Sequence, residues 1–98
     1  MFGKFAEAQK KMEEIRKRLD NITVTGESEG GKIVVEATGT NRIKSIHIND
    51  SLFKIGQREE IEELLTVAVN RALESSEKLM QSEMAAVSND ILPGFLRS

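Results

Sequence analysis

The chain has 98 residues, enough for one domain with one modest core, and its charged share of 31% against 4% aromatic suits a helix-rich, well-solvated protein. The absence of cysteine excludes a disulfide framework and a thiolate metal site, and no stretch reaches the apolar length of a membrane span. A net charge of −2 speaks against a globally basic nucleic-acid binder, yet the charge is graded: residues 1–20 hold six Lys/Arg against four Asp/Glu, and residues 58–87 hold three against seven.

The first predicted element is a helix over about residues 4–20. Phe5, Ala8, Met12, Ile15, Leu19 and Ile22 recur at alternating spacings of 3 and 4, the a/d seam of a coiled coil, with good helix formers between them. So narrow a stripe on so short a helix needs a partner, because isolated helices of this size are marginal in water. The opening residues Met1 to Glu7 turn charged at once and carry no apolar signal-peptide core, so the expected compartment is the cytoplasm.

Beyond Asp20 the period changes to two. Strands are expected over about 21–28, 32–38 and 42–48, with a turn in Gly26–Gly31 and another at Gly39-Thr40-Asn41. Lys44, Ile46 and Ile48 are expected on one face of the third strand and His47 on the other. A second helix is expected over about 58–87, broad in its apolar stripe at first and thinner later, as if it packs on the sheet and then projects. Glu59, Glu60, Glu62 and Glu63 read as a helix start favoured by the dipole, and residues 88–98 read as a tail marked by Pro93-Gly94.

The fold class is therefore α+β. One domain spans residues 1–98 in the order α-β-β-β-α, with a three-stranded antiparallel meander between two long terminal helices. A small sheet with two faces and two edges, beside an unpartnered heptad stripe, points to a homodimer.

Chemistry-bearing motifs are few. Gly26 to Lys32 fits the G-x-x-x-x-G-K half of a phosphate loop, but Ile33 stands where Ser or Thr must hold magnesium. Lys32 also opens a β-branched run instead of a helix, so the segment reads as a hairpin turn. His47 is the single histidine and supplies neither a zinc set nor a catalytic triad. No enzyme, cofactor, metal or small-molecule substrate is indicated.

The basic residues of the first helix are the candidate site. With Phe5, Met12 and Leu19 at heptad position a, Lys4, Lys11 and Arg18 fall at g, Lys10 and Lys17 at f, and Arg16 at e. Glu7 and Glu14 fall at c, and Glu13 and Asp20 at b, so one flank reads as basic and the other as acidic. These cations have two readings: ion pairs with Glu74, Glu77 or Glu83 of the second helix, or contacts with the phosphates of duplex DNA. No aromatic residue is interleaved for base stacking and no base-reading set is recognisable, so backbone and shape would dominate.

Four strings carry a resemblance. They are Val24-Thr25-Gly26-Glu27-Ser28 followed by Gly31, Ile46-His47-Ile48-Asn49-Asp50-Ser51-Leu52, Leu64-Leu65 with Ala68, Asn70, Arg71 and Ala72, and Leu92-Pro93-Gly94-Phe95. Together they resemble the YbaB/EbfC family over nearly the whole chain, with Asn49-Asp50-Ser51 where the family pattern is closer to Asp-Pro-Ser. The resemblance implies a tweezer-like homodimer with joined sheets and projecting helices. It also implies a cofactor-free, nucleoid-associated role in the bacterial cytoplasm, with limited sequence preference for DNA. Transferred to this sequence, the DNA-binding residues are Lys4, Lys10, Lys11, Arg16, Lys17 and Arg18. The competing reading is a protein-interaction module that uses its projecting helices, with Met80 and Met84 as adaptable contacts.

Overall fold

The computed structural model describes residues 2–54 and 57–91. Helix α1 (Phe2–Asp20) leads into strands β1 (Thr23–Ser28), β2 (Ile33–Thr38) and β3 (Ile43–Ile48), and helix α2 (Arg58–Ile91) closes the described chain. Short 3-10 turns at Glu29–Gly31 and Asp50–Leu52 join β1 to β2 and β3 to α2. The strands lie in the order β1-β2-β3 and every pairing is antiparallel, so the meander is present. No described helix is long and apolar enough to cross a membrane.

Residues 88–91, expected in the tail, belong to α2, because a formed helix gains one bond per added residue without a fresh nucleus. Residues 92–98, with Pro93-Gly94, lie outside the described residues.

One face of the sheet is apolar. Ile33, Val35 and Ala37 of β2 are fully buried, and α2 meets them with Ala68 and Ala72, also fully buried. Burying each of the branched side chains contributes about 1.5–3 kcal/mol. Ala68, Ala72 and Ser76 form a four-residue-spaced row of small side chains with no exposure, which lets the helix lie close to the strands.

Gly26 completes that approach. It sits within β1 and not in the turn, since a Cβ there would overlap the Ala68 carbonyl and the Ala72 amide. Two polar ties fasten the same contact: Ser28 Oγ donates to the Leu64 carbonyl at 2.7 Å and Arg71 Nη1 donates to the Glu27 carbonyl at 2.7 Å.

The third strand departs from simple alternation. Glu36 pairs with Ser45 but Ala37 pairs with Ile43, so Lys44 is an extra residue in β3. The bulge puts Ile43 on the face of Ile46 and Ile48 and turns Lys44 to the opposite, open face, where its Nζ donates to Thr23 Oγ1 at 2.8 Å. The expectation that Lys44 shares a face with Ile46 and Ile48 is thereby corrected. His47 lies opposite those isoleucines, exposed, with Nε2 3.2 Å from Glu36 Oε1.

Helix α2 lies mainly over β1 and β2; on the apolar face of β3, Ile48 packs against the core while Ile43 and Ile46 stay exposed. Ile43 is 42% exposed, Ile46 46% and Phe53 63%. The molecule is elongated, 64 × 26 × 16 Å, because the second half of α2 runs past the sheet.

Candidate nucleic-acid interface

A second, smaller cluster mounts α1 on the projecting half of α2. Ile15 and Leu19 are buried with Val87, and Ile22, Leu79 and Met80 pack around them. Leu19 and Asp20 lie beside Met80, while Lys11 and Ile15 lie beside Ala86 and Val87, so the helices run antiparallel.

The β2–β3 turn fixes the end of α1. Gly39 N donates to the Leu19 carbonyl at 2.9 Å, and Thr40 Oγ1 donates to the Asp20 carboxylate. Asn41, in the left-handed region at φ 65°, donates its backbone N–H to the buried Ser76 Oγ at 2.9 Å. Helix, turn and helix thus meet at one place, and the rest of α1 extends away from it.

Only half of the seam is covered. Ile15 and Leu19 are buried, but Phe5 is 67% exposed and Met12 42%. The six candidate cations are all exposed along α1. Arg18 is committed: its guanidinium pairs with the Glu83 carboxylate of α2. Lys4, Lys10, Lys11, Arg16 and Lys17 form no ion pair among the described residues. Of the two readings of these residues, the ion pair holds for Arg18 with Glu83.

The cations do not form one flank. At roughly 100° per residue, positions e, f and g are interrupted by b and c around the helix. Lys4, Lys11 and Arg18 form one row beside the seam, Lys10 and Lys17 a second on the outer face, and Glu7 and Glu14 lie between them. Arg16 borders the other side of the seam, next to Glu13. The expectation of one basic and one acidic flank gives way to alternating rows.

Arg42 was not among the expected site residues. It shares a cleft of about 370 Å³ with Arg16, Leu19 and Met80, and no ion pair holds it among the described residues. Its sequence signal was weak, since it reads there as a strand residue. The folded β2–β3 turn brings it alongside α1.

On the open face of the sheet, Ser45 Oγ donates to Glu36 Oε1 at 2.7 Å. That bond, and then the His47 ring, hold the Glu36 carboxyl below the usual carboxylate range.

The same architecture occurs in a crystal structure of an uncharacterized protein from Helicobacter pylori, with a TM-score of 0.74 at 21% identity over 82% of this chain and 84% of that one. A nucleoid-associated protein of Flavobacterium johnsoniae is 33% identical over 93 residues, covering 95% of this chain and 86% of its own length. One from Bradyrhizobium sp. is 37% identical over 97 residues, covering 97% and 92%. The profile of the YbaB/EbfC DNA-binding family matches residues 1–91, which takes in the mounted α1, the meander and α2. The chain belongs to the YbaB/EbfC DNA-binding family.

Proposed function

We propose that the chain acts as a nucleoid-associated homodimer in the bacterial cytoplasm, gripping duplex DNA mainly through phosphates and with limited sequence preference. The observation that carries this reading is the set Lys4, Lys10, Lys11, Arg16 and Lys17: exposed cations without ion pairs among the described residues, on a helix packed on α2 through Ile15 and Leu19. Arg18 acts as a structural tie to Glu83, and Arg42 adds charge beside Arg16.

The row geometry supports contact with two strands. Lys4 and Lys11 lie roughly 110° around the helix from Lys10 and Lys17, which suits a rod of about 10–12 Å diameter lying along a groove with phosphates on either side. Glu7 and Glu14 then face the groove between the phosphate walls, where their repulsion is smallest. Two arms double the number of phosphates met and so offset the net charge of −2.

The exposed Ile43 and Ile46 of β3 support the dimer. Both stand on the edge strand, and a second copy related by a two-fold axis would cover them and pair that edge at once.

The test is a titration of several labelled duplexes at about 50 and 200 mM salt. Six or more phosphate contacts predict about a thousandfold loss of affinity over that range, nearly equal for all sequences. Lys10→Glu, Lys11→Glu and Lys17→Glu should weaken every duplex alike, and Arg18→Ala should matter less. Affinity indifferent to salt would reject the phosphate reading, and strong selection of one sequence would reject the limited preference.

A further inference from the structure

The structure assigns a second role to α1: its exposed seam at Phe5, Ala8 and Met12 is a seat for an acidic amphipathic helix of a partner protein, which takes Lys4 and Lys11 away from DNA. The removal of those cations from DNA rests on the duplex reading proposed above; the seat itself does not.

The seat continues an interface already present. One heptad further along the same helix, Ile15 and Leu19 are covered by Leu79, Met80 and Val87 of α2, and the row-g cation Arg18 is neutralised by Glu83. The chain thus displays the kind of segment its seam accepts: an antiparallel helix with apolar residues at three- and four-residue spacing and a carboxylate placed for row g. Moving back by seven residues replaces Ile15 by Ala8, Leu19 by Met12 and Arg18 by Lys11. In this repeat Phe5 and Met12 are exposed and Ala8 half-buried, and the three line a groove of about 460 Å³.

Charge selects the occupant. The seam is bordered by Lys4 and Lys11 on one side and Arg16 on the other, all exposed. A second α1 laid on the same stripe would set lysine against lysine, so self-pairing through this face is opposed. A segment with glutamates flanking its apolar stripe meets a cation on both sides. Phosphates could pair with the lysines but leave Phe5 and Met12 in water.

The occupied seat removes one of the two lysine rows from duplex contact and leaves Lys10 and Lys17. The partner therefore weakens DNA binding without abolishing it, and lowers its salt dependence by about two in the log–log slope for each arm.

The experiment uses the full chain and a labelled synthetic amphipathic helix with leucine at a and d and glutamate at e and g, beside a control with lysine replacing glutamate. The glutamate peptide should bind, the lysine peptide should not, and Phe5→Ser with Met12→Ser should weaken binding about tenfold. These two residues are exposed, so the double variant should melt with the parent. With saturating peptide, duplex affinity should fall along with its salt slope. Equal binding of both peptides, or indifference to the double variant, overturns the seat. So does a lower melting temperature of the double variant, which would mean that the chain fills its own seam. Growth of assemblies through Phe5 and Met12, or binding to anionic vesicles in place of the peptide, also overturns it. A chain that binds the peptide but no duplex would keep the seat and reject the DNA reading.

Discussion

Gly26 shows how a single residue can be visible in the sequence and still be misread. Beside Gly30 and Gly31 it looks like turn chemistry, but what demands a missing side chain is a helix that arrives from far along the chain, with Ala68 and Ala72 directly over the strand. Gly26→Ala should destabilise the fold by about 3 kcal/mol, seen as a lowered urea midpoint, because the clash is with backbone that cannot swing away. A midpoint equal to the parent's would show that α2 rides higher than described. Lys44 teaches the same lesson at smaller scale: the alternation that correctly placed His47 fails beyond the bulge, which no local pattern announces. Glu36 makes a pH prediction. Its carboxyl is held below the usual range, so its contribution is present at neutral pH, above the unfolded-state value, and is lost as pH falls through the folded value. Glu36→Gln should therefore cost stability near neutrality, with the deficit closing in acid; a deficit that widens on acidification would contradict the sign.

At the scale of elements, periodicity made both helices and all three strands legible, since a seam at three and four or an alternation of two is a local property. Which half of a seam finds a partner is not local. Ile15 and Leu19 are covered because α2 overshoots the sheet and turns that surplus length to use, while Phe5 and Met12 carry the same pattern uncovered. The charge rows were misjudged for a related reason: heptad letters give neighbours along the chain, and the wheel interleaves them. The junction of α1, the β2–β3 turn and α2 rests on Ser76, which is fully buried and accepts the Asn41 amide. Ser76→Ala leaves that N–H with only its longer bond to the Thr38 carbonyl, at 3.2 Å, and should cost about 0.5–1.5 kcal/mol. It should also speed amide exchange at Asn41; unchanged exchange there would remove Ser76 from the role.

For the whole molecule, the homodimer proposed above rests on a helix that roofs mainly two of three strands and leaves Ile43 and Ile46 exposed. Ile46→Glu should leave the secondary structure intact and halve the mass measured by sedimentation, because the charge would sit on the exposed face assigned to the proposed dimer contact. A variant that keeps the parent's mass would place the contact elsewhere. The exposed isoleucines were legible as strand residues, but their exposure depends on where α2 lands, which follows from the Gly26 and Ala68 approach and not from their own pattern.

The mounting of α1 has a mechanical consequence. A rod clamped over Ile15–Leu19, with Phe5 and Met12 exposed beyond the clamp, is a lever of about 16 Å from Ile15 to Lys4, at about 1.5 Å for each residue. A tilt of roughly 10° at the clamp sweeps the tip through about 3 Å, close to the ~3.4 Å between successive nucleotides on a strand. Such a lever can shift by one step to follow a widened or bent groove without breaking its clamp, so the limited sequence preference proposed above would originate in the stiffness of a joint.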